Sequence, residues 1–279
     1  MKIAIASGKG GTGKTTVATN LATSLGHVQL LDCDVEEPNS HLFLQSLKLK
    51  KTDDVFIQVP VIDESKCTFC GKCAEFCAYN ALAVVPKKVL FFPELCHGCG
   101  GCTLICPEDA ISEEKRSIGI LEAGRLESLE FYHGIMNPGE AMATPVIKAL
   151  KKKMDPSKPS ILDSPPGAAC PVIETVRDSD YCILVTEPTP FGLHDLKIAV
   201  KIVQSLGIPH GIIINRDGIG DDRVEEYCKE ENIPILMKIP DNREIAHLYS
   251  KGIIFSQGMS EWKEKFIALY KRIKEDIKK

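Results

Sequence analysis

Residues 8–15 read GKGGTGKT. The stretch matches G-x-x-x-x-G-K-[ST], with Gly8, Gly13, Lys14 and Thr15 at the fixed positions. Residues 2–6 (KIAIA) read as a buried strand, and a helix is expected from near Lys14. Strand, glycine-rich loop and helix in that order form the context in which such a loop binds phosphate. Gly8, Gly10, Gly11 and Gly13, with Thr12 and Thr16 beside them, let successive backbone N–H groups converge on phosphate oxygens. The helix N-terminus adds a favourable field. Lys14 is expected on the β/γ-phosphates of ATP or ADP, and the Thr15 hydroxyl on Mg²⁺. A chance glycine-rich turn would not sit between those two elements.

Outward from the loop, the same rhythm recurs. Residues 28–32 (VQLLD), 161–163 (ILD), 182–186 (CILVT), 211–215 (GIIIN) and 235–239 (ILMKI) read as strands. Helical patterns fall at about 172–178, 193–206, 221–231 and 243–251. Alternating strands and helices imply an α/β fold, with a mainly parallel sheet and helices on both faces. Residues 58–115 break the rhythm with short runs, turns and cysteines. The expectation is a discontinuous nucleotide-binding domain, 1–57 and 116–279, with a small α+β domain inserted at 58–115. The main fold resumes over 116–153, the least readable stretch.

The chain has 279 residues, 44% of them hydrophobic, which suffices for one sizeable α/β core and a small insert. Its net charge of -4 argues against a nucleic-acid binder, which is usually basic. The opening MKIAIASGKG lacks a signal-peptide pattern, so a cytoplasmic chain is expected. No apolar run approaches the roughly 18 residues of a membrane span.

Eight of the twelve cysteines fall between 67 and 106. In a cytosolic chain such crowding reads as metal binding rather than disulfides. Two runs repeat, CTFCGKCAEFC (67–77) and CHGCGGCTLIC (96–106), with corresponding cysteines 29 residues apart. Each is C-x2-C-x2-C-x3-C, the spacing of bacterial two-cluster ferredoxins, in which the fourth cysteine ligates the other cluster. Cys67, Cys70, Cys73 and Cys106 are therefore assigned to one [4Fe–4S] cluster. Cys96, Cys99, Cys102 and Cys77 are assigned to a second. Structural zinc generally uses two C-x2-C pairs and a longer loop. Ala78, not proline, follows Cys77, a departure from the ferredoxin run. His97 reads as a surface or supporting residue.

The stretch KGGTGKT resembles the deviant Walker A motif of the MinD/ParA/Mrp and nitrogenase iron protein family. The resemblance implies that Lys9 reaches across an ATP-dependent homodimer to the partner's nucleotide. LLDCDVEEPN (30–39) looks like the family's D-x-D segment, implying that Asp34 orients the attacking water and Asp32 supports the Mg²⁺ region. ILDSPPG (161–167) looks like the Walker B/switch II segment. It implies that Asp163 holds a Mg²⁺-bound water and that the main chain at Gly167 meets the γ-phosphate. IINR (213–216) and IPDN (239–242) resemble adenine-contacting segments, which points to Asn215 and Asp241. The likeness covers about 1–57 and 116–265.

Cys170 resembles a cluster cysteine of the nitrogenase iron protein. No second cysteine falls in FYHGIMNPGEAMATP (131–145), and the C-terminal C-x-x-C of Mrp-type scaffolds is absent. A cluster bridging two subunits is not expected.

The whole chain resembles MinD-superfamily ATPases carrying an inserted ferredoxin domain. The favoured expectation is a Mg²⁺-dependent ATPase that couples nucleotide state to electron transfer to a partner protein. ATP-dependent assembly or transfer of iron–sulfur or other metal cofactors is the alternative, and a MinD/ParA-like positioning ATPase the third. Trp262, Phe266, Leu269, Ile273 and Ile277 form a lysine-flanked stripe at helical spacing. Such a stripe can lie on a membrane, but packing on the core is preferred. No nucleic acid is expected, the basic run Lys151–Lys153 being isolated.

Overall fold

A computed structural model describes residues 1–278; Lys279, the end of the expected 116–279 segment, lies outside them. The first half of the chain forms β1 (Lys2–Ala6), α1 (Lys14–Leu25), β2 (Gln29–Asp32) and β3 (Lys50–Ile62), then α2 (Lys72–Phe76), β4 (Leu82–Val85), β5 (Lys88–Phe91) and α3 (Gly101–Ile105). It continues with β6 (Ile111–Leu126), β7 (Leu129–Met136), α4 (Thr144–Lys151), β8 (Ser160–Asp163), α5 (Cys170–Val176) and β9 (Tyr181–Thr186). Last come α6 (Pro190–Ser205), β10 (His210–Asp217), α7 (Arg223–Glu230), β11 (Ile235–Pro240), α8 (Arg243–Ser250), α9 (Phe255–Gly258) and α10 (Ser260–Asp276).

Nine strands make one sheet, in the order β11-β10-β9-β1-β8-β2-β7-β6-β3. The strands from β11 to β7 are parallel, and β6 runs antiparallel between β7 and β3. This is the expected α/β fold, a mainly parallel sheet with helices on both faces. β1, β8 and β9 read as continuous apolar runs because they are buried on both sides.

On one face, Val17 and Leu21 of α1 pack with Trp262, Phe266, Leu269 and Ile273 of α10. The C-terminal stripe is therefore spent on the core: Phe266 and Ile273 have no exposed surface. The other face is covered by α5, α6 and α7, with Val176, Val200 and Val224 inside. α4 closes the β7 end through Val146, Ile147 and Leu150. Among the described residues, no helix is long and apolar enough to cross a membrane.

β3 and β6 pair from Lys50↔Ala123 to Ile62↔Ile111. The divisions expected at 58 and 115 fall inside these two strands. Both strands pass unbroken from the large sheet into the cysteine-bearing unit, which comprises α2, the β4–β5 hairpin and α3. A fourth cluster of buried residues, with Cys73, Leu82, Val89 and Ile111, forms that unit's own core.

Candidate functional site

The glycine-rich loop leaves β1 and ends at Gly13, which precedes α1 with φ of 96°. A side chain on Gly13 would also collide with Asn215, whose Nδ2 stands 2.4 Å from the position a Cβ would take. Gly8 is constrained by crowding, since a Cβ there would lie 2.1 Å from the Asp195 carbonyl oxygen. Asn215, at the end of β10, donates from Nδ2 to the Thr12 carbonyl at 2.9 Å. It thus braces the loop from β10, the second strand over from β1.

A cavity of about 440 Å³ opens beside the loop. Gly10, Gly11, Gly13, Lys14, Thr15 and Thr16 form its floor, with Asp34 at one side. Asn215, Asp241, Ile245 and Tyr249 form the far wall. Asn242 caps α8, its Oδ1 accepting from the N–H of Glu244 at 2.7 Å, and so fixes the Asp241 turn. The size and the glycine floor suit a nucleotide, phosphates on the loop and base against the far wall.

Three carboxylates end β2 and β8 around Lys14. Asp32 is fully buried and accepts from the N–H groups of Asp34 (3.1 Å), Asn39 (2.9 Å) and Ser40 (2.8 Å). Its geometry holds the 34–40 turn. Asp163 accepts from the Ser40 hydroxyl at 2.9 Å, while among the described residues its buried Oδ1 has no partner at hydrogen-bond geometry, although the Thr15 hydroxyl acts on the same carboxyl. An orphaned carboxylate oxygen fits a Mg²⁺-bound water, and Thr15 beside it could supply a direct ligand. Gly167 donates its N–H to the Ser7 carbonyl at 3.1 Å, which draws the 164–169 turn against the loop.

Burial pushes the Lys14 ammonium below its ordinary value, opposed by Asp163, Asp34 and Asp32. Burial, then the neighbouring Asp163, lifts the Asp34 carboxyl to about 6. Burial raises Asp163 as well, against Thr15, Lys14 and Ser40. Binding Mg²⁺ requires the ionised forms, so it must displace protons. The affinity for Mg·ADP is therefore expected to rise as pH rises through 6, with protons released. Calorimetry in two buffers of different ionisation enthalpy measures both; affinity that falls over this range would contradict the assignment.

Lys9 does not turn into its own cavity. Its Nζ lies 3.3 Å from Glu187, at the end of β9, and Glu187 also pairs with Arg216 at 3.0 Å. Sequence reading missed Glu187, Arg216 and Ser40. One signal was available for Glu187: it ends an apolar parallel strand, where α/β sites are built.

The eight clustered cysteines line two separate cavities. Cys67, Cys70, Cys73 and Cys106 surround one. Cys77, Cys96, Cys99 and Cys102 surround the other. Each cavity thus has three cysteines from one run and the fourth from the other. The N–H of Ala81 faces Cys77 Sγ at 3.4 Å, that of Ala110 faces Cys106 Sγ at 3.3 Å, and that of Gly98 faces Cys96 Sγ at 3.4 Å. Such N–H donors favour sulfur carrying negative charge. Burial pushes the Cys96 thiol up, while the Gly98 N–H and the Arg116 guanidinium act the other way. Among the described residues, no three His, Cys, Asp or Glu side chains are gathered closely enough to hold a single metal ion. The cavity at Cys77, Cys96, Cys99 and Cys102 measures about 230 Å³, and the one at Cys67, Cys70, Cys73 and Cys106 about 20 Å³. His97 stacks on Tyr79, ring centroids 3.4 Å apart.

Of the remaining cysteines, Cys33, Cys182 and Cys228 are buried, and Cys170 is exposed at the start of α5.

The family model for the CobQ/CobB/MinD/ParA nucleotide binding domain matches residues 3–255. An uncharacterised protein of Methanocaldococcus jannaschii is 34% identical over 260 residues, covering 91% of each chain. The iron-sulfur cluster carrier protein of Pyrococcus abyssi is 25% identical over 316 residues, covering 100% of this chain and 89% of its own. Among solved structures, the septum site-determining protein MinD of Pyrococcus horikoshii, complexed with Mg-ADP, superposes with a TM-score of 0.57. It is 23% identical, over 98% of this chain and 95% of that one.

Proposed function

Because the chain belongs to the CobQ/CobB/MinD/ParA nucleotide-binding family of P-loop ATPases, we propose that it is a homodimeric ATPase coupling its nucleotide state to electron transfer. The electrons pass through two [4Fe–4S] clusters, held by an inserted ferredoxin-like domain at about 58–115. One observation carries the redox half: eight cysteines sort four and four around two cavities, each sharing one cysteine with the other's run.

Within this reading, Lys14 and the N–H groups of the loop hold the phosphates. Thr15 and Asp163 serve Mg²⁺, Asp34 orients water, and Asn215 and Asp241 meet the base. Lys9 exchanges Glu187 for the partner's nucleotide when two chains close on ATP. Catalysis then rests on positioning and charge, with little covalent chemistry asked of the protein. When bound, the clusters would accept one electron each from a reductant and release it to an acceptor protein.

A second reading is supported by relatives named iron-sulfur cluster carrier proteins in Pyrococcus abyssi and Pyrococcus horikoshii. Here ATP would gate the transfer of a whole cluster to an acceptor. Four cysteines around each cavity favour retention, because release would break four bonds per cluster.

The test is anaerobic purification with iron and sulfide analysis and EPR, with and without ATP. About eight irons per chain, retained in the presence of an apo-acceptor, are expected for two [4Fe–4S] clusters. Rapid passage of the iron to the acceptor would favour the carrier reading. Zinc in place of iron would end both.

A further inference from the structure

Where β3 and β6 carry the sheet into the cysteine-bearing unit, a charged joint links the two. Arg116, on β6, makes a two-pronged pair with Glu140, one prong running from Nη2 to Oε2 at 2.7 Å. The same Nη2 donates to the Pro93 carbonyl at 3.0 Å. That carbonyl also accepts from the Cys96 N–H at 3.2 Å. Arg116 thereby fixes the turn that delivers Cys96, and its positive charge stands next to that cysteine. Its Nε–H is buried without a partner.

Glu140 lies in the 137–143 segment between β7 and α4. Asn137 ties this segment to β6, its N–H donating to the Ile118 carbonyl at 2.8 Å and its Nδ2 to the Ser117 carbonyl at 3.1 Å. At the far end of α4, Lys151 Nζ donates to the carbonyls of Glu174 (2.6 Å), Thr175 (3.2 Å) and Arg177 (2.7 Å). Those carbonyls close the C-terminus of α5. α5 in turn begins just after the Gly167 turn that leans on the phosphate loop.

We propose that Glu140 and Arg116 are the output contact of the nucleotide site, through which a shift of the Gly167 turn, α5 and α4 changes the reduction potential of the cluster at Cys96. The inference rests on the cluster reading above. A guanidinium beside a cluster stabilises its reduced, more negative form, so Arg116 holds that potential up. Moving α4 would draw Glu140 towards or away from the guanidinium and alter both its charge balance and its grip on Pro93. The cluster at Cys106 lies on the other cavity, away from this joint. Arg116 is in this sense a positioning and tuning residue, not a ligand.

The experiment is an EPR-monitored redox titration of anaerobic holoprotein without nucleotide, with Mg·ADP and with a non-hydrolysable Mg·ATP analogue. In the parent protein one cluster's midpoint is expected to move with nucleotide while the other stays fixed. Arg116→Gln should lower the midpoint of the responsive cluster and abolish its response, leaving iron content and Mg·ADP affinity unchanged. Arg116→Lys should restore the midpoint but not the response, because it returns the charge without the two-pronged grip. Should Arg116→Gln fail to fold, Glu140→Gln carries the test, with loss of the response expected. Iron present with midpoints indifferent to nucleotide, or a response that survives Arg116→Gln or Glu140→Gln intact, would overturn the coupling alone. Absence of iron would overturn the cluster reading and this inference with it.

Discussion

Lys9→Ala is expected to cut stimulated ATP hydrolysis on the order of 10³-fold, the scale seen when a trans-acting cation is removed from a phosphoryl-transfer site. That loss corresponds to about 4 kcal/mol of barrier. Binding of Mg·ATP by the single chain should change little. Lys9 does not line its own nucleotide cavity, and its ammonium is paired with Glu187 at 3.3 Å. Lys14→Ala should behave differently and lose binding as well, because Lys14 forms part of the cavity floor. Phosphate release measured against protein concentration separates the two, since a trans role makes the rate depend on association. A Lys9→Ala protein with the parent rate at every concentration would remove Lys9 from the mechanism.

The second large effect concerns the crossed cysteines. Cys106→Ser is expected to lose the cluster at Cys67, Cys70 and Cys73, although it closes the second run in sequence. Cys77→Ser should lose the cluster at Cys96, Cys99 and Cys102. In each variant iron should fall from about eight to about four per chain. The two variants should retain different EPR signals, whose sum reproduces the parent. Two independent, uncrossed sites would give the opposite assignment: Cys106→Ser would then spare the signal that Cys67→Ser destroys.

What the sequence made legible follows from how locally each feature is encoded. The phosphate loop is a contiguous motif, and its neighbouring strands are apolar on both faces, so β1, β8 and β9 stand out. The cysteine spacing is equally local. β3, β6 and β7 did not declare themselves, because β6 carries an unbroken polar run near its start and depends on partners distant in the chain. Its stretch SEEKRS is exposed or half-buried along a ribbon, with no periodic apolar signal to read. The supporting contacts were hidden for the same reason. Asn215 braces Thr12, Ser40 reaches Asp163, and Glu187 holds Lys9, each across a long loop of chain. Only the folded sheet brings such pairs together. The C-terminal stripe was legible as amphipathic, and burial of Trp262 and Phe266 decides where it packs.

The uninterrupted passage of β3 and β6 bears on how force could travel. β6 is paired with β7 only from Gly119 onward, so among the described residues β3 is the one strand partner of 111–118, with Asn137 and Glu140 bound to Ser117, Ile118 and Arg116 near the root. Eight residues at about 3.3 Å each make a two-stranded beam of roughly 26 Å. A flexible tether would let its load wander independently of its anchor. A beam rooted in the sheet behaves as a cantilever, and a tilt of about 10° at its root would sweep the tip by roughly 5 Å over that length. Ladder pairing runs without a shift from Ser117↔Phe56 to Ile111↔Ile62, and the register shift at Val55/Phe56 lies at the root, so the tip's excursion reports rotation there. The sheet edge is thus at once a structural border and the fulcrum of a long arm.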